Sequence, residues 1–99
     1  MKYAVIIRPE AENDLAEAFS WYEEQRRGLG HDFLLQVDAG LRFLERNPES
    51  HPPEYQETRK HLIKKFPYKI IYLVKDGKII VLAFFHAKRN PKTLKKRSV

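Results

Sequence analysis

No cysteine occurs among the 99 residues. Disulfides, thiolate nucleophiles and Cys-based zinc sites are therefore excluded. Glycine is scarce, with four in the whole chain. None builds a Gly-rich phosphate loop, and no G-x-S-x-G elbow is present. The longest apolar run, Ile79 to Phe85, is far too short to cross a bilayer. Met1-Lys2 leads into a brief apolar stretch that stops at Arg8-Pro9, so no signal peptide is expected. His31, His51 and His61 are scattered, and no two have the spacing of helical metal ligands. The expectation is a cytoplasmic, soluble chain that needs no metal and no cofactor and has no membrane partner.

What is present is an asymmetric distribution of charge. Residues 1–56 carry six Lys/Arg against eleven Asp/Glu, a net of −5. Residues 57–99 carry thirteen against two, a net of +11, and the halves sum to +6. A basic excess confined to one segment is an electrostatic footprint for a polyanion or an acidic protein partner. At 42% apolar and 32% charged residues the composition is that of an ordinary globular domain, and 99 residues leave room for one such domain with one modest core.

Periodicity divides the chain. Tyr3 to Arg8 is a short β-rich run that Pro9 stops. Pro9 suits a first helical position because its missing N–H is not needed there, and Glu10, Glu12 and Asp14 suit the positive end of the helix dipole. Ala11, Leu15, Ala18, Phe19 and Tyr22 then follow helical spacing towards Arg26. Gly28-Leu29-Gly30 breaks the pattern. A second helix to about Arg46 carries Phe33, Val37, Leu41 and Leu44 on one stripe and ends at Asn47-Pro48. So short a break predicts an antiparallel hairpin, in which Gly40 either allows close approach to Ala18 or a neighbour or is simply a tolerated surface glycine. Residues 47–56, with three prolines, form a loop. Three strands are expected after it: Thr58 to Lys65, Tyr68 to Lys75 and Lys78 to His86. Asp76-Gly77 signals a tight hairpin and Phe66-Pro67 a bend. The last strand lacks alternation and so belongs in the middle of the sheet, with the first strand beside it. The fold expected is β-α-α-β-β-β, an α+β arrangement of a helical hairpin on one face of a mostly antiparallel sheet. A basic tail, 88–99, closes the chain.

Candidate chemistry lies in the second half. Arg59, Lys60, His61, Lys64 and Lys65 form either an edge strand protected by charge or a phosphate-binding wall, to which Lys69, Lys88 and Arg89 would add. His86, with Arg89 three residues on, suits a general acid or base beside a cation, or a strand-terminal histidine that packs. Tyr68, Tyr72 and Phe85 read as packing rather than base-stacking platforms. Trp21 falls off the main helical stripe, and Glu12, Glu17, Glu23 and Glu24 read as a solvated face.

The ordered set of short motifs carries more than any one of them. Pro-Glu-Ala-Glu-Asn-Asp-Leu (9–15), Trp-Tyr-Glu-Glu (21–24), Gly-Leu-Gly-His-Asp-Phe (28–33) and Glu-Arg-Asn-Pro (45–48) come first. Thr-Arg-Lys (58–60), Lys-Phe-Pro-Tyr-Lys-Ile-Ile-Tyr (65–72) and Phe-Phe-His-Ala-Lys-Arg-Asn-Pro (84–91) follow. Together they resemble toxins of the RelE/ParE superfamily, of the plasmid-stabilisation type, over about residues 3–91. The resemblance implies a growth-arresting toxin silenced by a cognate antitoxin protein. ParE-like members inhibit DNA gyrase without being nucleases, and RelE-like members cut mRNA in the ribosome without a metal. The 66–72 strand and the 86–91 ending look more ParE-like. If the chain were a nuclease, Arg59 and Arg89 would clamp phosphate and His86 would act as acid or base, although the late tyrosine usual in that branch is missing. A non-toxic RNA-binding module is the third reading.

Overall fold

The computed structural model describes residues 2–89. The elements are β1 (Ala4–Ile7), α1 (Pro9–Gln25), α2 (Leu29–Arg46), β2 (Arg59–Leu62), β3 (Tyr68–Lys75) and β4 (Lys78–His86), with a single 3₁₀ turn at Tyr55–Glu57 before β2. The sheet order is β1-β4-β3-β2. β1 runs parallel to β4, and the other two pairings are antiparallel. The expected α+β architecture is the one observed, with β4 between β1 and β3. The basic tail expected from Lys88 lies, beyond Arg89, outside the described residues.

β2 is shorter than the expected run from Thr58 to Lys65. Lys65 takes left-handed backbone, φ 70, just before Phe66-Pro67, and the strand geometry ends at Leu62. β4 carries an irregularity that its sequence hid. Ile71 pairs with Ala83 but Tyr72 with Val81, so Leu82 is an extra residue, a β-bulge. The bulge sends Leu82, Ala83 and Phe85 to the face away from the helices, while Val81 and Phe84 join the core beneath them.

Two apolar clusters result. Under the helical hairpin, Ala11, Ala18 and Tyr22 of α1 and Phe33, Val37 and Leu44 of α2 meet Ile70, Tyr72, Ile79, Val81 and Phe84. On the opposite face Ile71, Leu73, Leu82, Ala83 and Phe85 form the second. Four rings, Tyr22, Phe33, Phe66 and Tyr68, knit α1, α2 and the β2–β3 bend together, with centroid separations from 4.9 to 6.1 Å. Edge-to-face and tilted ring pairs of this kind are worth about 0.5–1.5 kcal/mol each beyond burial.

The close approach expected at Gly40 occurs at Gly30 instead. A Cβ at Gly30 would lie 2.7 Å from the Phe19 carbonyl oxygen and 2.8 Å from Phe19 Cδ1. One at Gly40 would meet first Ile70 Cδ1 at 3.1 Å and His61 Cδ2 at 3.2 Å, both of the sheet. The reason is the hairpin geometry. Gly30, beside the connection, faces Phe19 of α1, whereas Gly40, farther along α2, faces Ile70 and His61 of the sheet. The connection is also held by Glu23, which belongs to no purely solvated face. Its two carboxylate oxygens accept the N–H groups of Gly28 (2.9 Å) and Gly30 (2.8 Å), donors that α2's first turn leaves unpaired. Those bonds, the Gly28 N–H foremost, hold the Glu23 carboxyl below its usual range.

Candidate functional site

The candidate residues fall into two groups, one at the start of β3 and one at its middle, where β2 begins. At the start Tyr68 pairs with His86 across the β3–β4 ladder. There α1 and the ends of β3 and β4 border an open groove of about 690 Å³ whose walls include Asp14, Glu17, Trp21, Tyr68, His86 and Arg89. Trp21 is 57% exposed, which is unusual for the chain's single tryptophan and gives the groove an apolar wall facing solvent. His86 is exposed, meets the Tyr68 ring edge-on at 5.7 Å, and its Nδ1 accepts the Lys88 N–H at 3.2 Å. Arg89 lays its guanidinium over the Phe85 ring, 3.9 Å from the centroid, a cation–π contact that fixes its direction.

Asp14 supports this end from below. It is buried, and its Oδ2 accepts the Phe84 N–H at 3.1 Å, just past the bulge. Partial burial raises the Tyr68 hydroxyl pKa, with Asp14 adding to the rise and Arg89 opposing it. Tyr68 therefore stays a neutral donor rather than a phenolate. Lys69 stands apart from the other lysines. It is buried, and its Nζ donates to the carbonyls of Arg89 (3.0 Å) and Ala87 (3.3 Å). Burial holds its pKa down, helped by Lys60 and opposed by Glu54. Its role here is to pin the chain that leaves β4, and so to place Arg89; its ammonium is not displayed as a phosphate contact.

At the middle of β3, Tyr72 pairs with Arg59, the first residue of β2. Arg59 is half-buried and donates to the carbonyl of His51. Lys60 points to the opposite face and lies 3.5 Å from Glu54. Lys64, Lys65 and Lys88 are exposed. Tyr72 is fully buried and donates to the Pro48 carbonyl at 3.3 Å, packing as expected. The histidines regarded as scattered are not all so. His51 Nε2 and His61 Nδ1 lie 2.9 Å apart. Sequence spacing hid this pair because a loop, not a helix, brings them together. Among the described residues no group of three metal-ligating side chains converges.

The register separates Arg59 from His86 by four residues along β3 and by two strand widths, roughly 16 Å of backbone. His86 and Arg89 share one groove. Arg59, held on the His51 carbonyl, is not among its walls.

The fold, a helical hairpin on a four-stranded sheet, is shared with solved structures. The "Chromosomal ParDE TA system from P. aeruginosa" contains a chain that matches with a TM-score of 0.77 at 15% identity, covering 88% of this chain and 98% of that one. No curated protein matches the sequence. The family model described as "ParE toxin of type II toxin-antitoxin system, parDE" matches residues 5–91. The chain belongs to the ParE toxin family, and it is the toxin component of a type II toxin–antitoxin pair. Its partner is accordingly a cognate antitoxin. No helix among the described residues is long and apolar enough to cross a membrane.

Proposed function

We propose that this toxin arrests growth in the bacterial cytoplasm by binding and inhibiting DNA gyrase, and that the groove between α1 and the end of β4 is its main contact surface. Membership of the ParE family across residues 5–91 carries the reading. The separation of Arg59 from His86 and Arg89 supports it, since a binding surface tolerates dispersed cations and a phosphodiester transition state does not. In this reading Trp21 supplies the apolar anchor, Arg89 and Lys88 the charge, and His86 a hydrogen-bonding wall.

Induction of the chain without its antitoxin, followed by pulse-labelling of DNA and protein synthesis, tests the proposal. DNA synthesis is expected to fall first, with messages intact. An early collapse of translation with cut messages would overturn it in favour of ribosome-dependent mRNA cleavage, which the nearness of His86, Arg89 and Tyr68 in one groove would then serve. Arrest of neither would leave a binding module without toxicity.

A further inference from the structure

The loop before β2 is held in a conformation it does not favour. Gln56 and Glu57 both take left-handed backbone, φ 53 and 64. Two such non-glycine residues in succession persist only where their surroundings hold them. Backbone bonds within the loop are joined by side-chain fastenings. Thr58 Oγ1 donates to the Tyr55 carbonyl at 2.6 Å, and Tyr72 donates to that of Pro48. Arg59 donates to the His51 carbonyl, and His51 bonds His61 ring to ring at 2.9 Å.

We propose that His51 and His61 form a proton-operated latch, which at neutral pH holds the 47–58 loop and, through the His51 carbonyl, the Arg59 side chain, and on acidification releases both. Each neutral imidazole offers one N–H and one lone pair, so one ring donates to the other. A first added proton goes to an outward nitrogen and leaves that bond in place. A second puts N–H groups on both facing nitrogens, and attraction becomes repulsion. The two steps belong to the pair rather than to either ring.

The surroundings make protonation unfavourable. From α2, Phe43 stacks on His61 with centroids 5.2 Å apart and planes at 21°, and Gly40 closes against its edge. From the loop, the facing group is His51 itself, whose ring also lies 6.4 Å from Phe43. From β2 the charged neighbour is Arg59, and Lys64 lines the recess beside His61, which has no carboxylate among its walls. Burial first, and His51 second, hold His61 below the ordinary histidine range. A proton therefore meets cations, rings and backbone, with nothing to compensate it. The inference does not depend on which target the toxin takes, because its readout is the loop and not growth arrest.

Amide hydrogen exchange on the full chain between about pH 7.5 and about pH 5, alongside NMR titration of the imidazoles, provides the test. Protection factors at Glu54, Glu57 and Thr58, whose N–H groups close this loop, are expected to fall at least about tenfold as the pair takes its second proton. His51→Ala should show low protection throughout, with no pH step. Constant protection in the wild-type chain, or an identical step in His51→Ala, would overturn the latch. If that variant fails to fold, the wild-type titration still decides: a single-step titration of His61 in the ordinary histidine range overturns the proposal, and titration of His61 below that range, in step with the loss of loop protection, supports it.

Discussion

The start of β3, at Tyr68, and its middle, at Tyr72, share one strand and one face of the sheet, yet they are held by different physics. At Tyr68 the support is packing: four interlocked rings, a buried Asp14 on the bulge of β4, and a lysine pinning the outgoing chain. At Tyr72 the strand itself is equally buried, but the loop beside it hangs on a few polar contacts, one of them between two titratable rings. Groups carried by the first end, His86 and Arg89, are presented by a framework that only core disruption should move. Arg59, beside the middle of β3, is presented by contacts that solution conditions can change.

The largest break in that comparison is Phe33→Ala. Phe33 is fully buried and touches Tyr22, Phe66 and Tyr68. Its truncation should cost about 3–5 kcal/mol, read as a lowered urea midpoint with unchanged slope. The groove end should lose its protection along with the rest of the fold. Next comes the helical hairpin. Gly30→Ala sets a Cβ against the backbone oxygen of Phe19, which cannot yield as a flexible side chain would. A loss of about 1–3 kcal/mol is expected from overpacking. Gly40→Ala meets only the tips of Ile70 and His61, and removing a mid-helix glycine returns roughly 1 kcal/mol, so its net change should be much smaller. Equal effects from the two substitutions would mean that the helices do not close at Gly30.

Those glycines also mark where sequence reasoning stops. Element order, the placing of β4 at the centre and the hairpin at Asp76-Gly77 were legible, because proline, turn dipeptides and apolar periodicity act locally. Which glycine faces the other helix was not, since spacing along one helix does not say what lies opposite. The bulge at Leu82 was hidden for a similar reason: an all-apolar strand gives no alternation to interrupt. Within the site, His86 and Arg89 were legible as neighbours in sequence that remain neighbours in space. Asp14 was read only as a helix-start residue, and a carboxylate reaching from α1 to β4 is a long-range contact with no local signal. The His51–His61 pair was lost in the same way, across a proline-rich loop.

A smaller effect sharpens the contrast from the loop side. His61 is held below its unfolded pKa, so the folded chain binds fewer protons than the unfolded chain over the intervening range. Stability from this group is complete above the ordinary histidine value of about 6.5 and is lost as pH falls through the folded value. Urea midpoints should therefore decline on acidification below about pH 6.5, and His61→Gln should flatten that part of the decline. A wild-type profile that stays flat there would remove His61 as a source of stability.

The smallest change in stability is expected from the residue with the largest expected effect on binding. Trp21 is more than half exposed, and its ring meets Tyr22 edge-on at 5.1 Å without completing the core. Trp21→Ala should shift the unfolding free energy by no more than about 0.5 kcal/mol. If the groove is where gyrase is engaged, the same substitution should abolish arrest of DNA synthesis, because an exposed aromatic at the centre of a contact contributes far more to binding than to folding. The experiment needs both readings on one variant. Lost arrest with an intact urea midpoint places function at the rigid end of β3. Retained arrest would move the contact to the start of β2, and Arg59→Ala, made where the loop rather than the core presents the side chain, would then be the substitution that abolishes it.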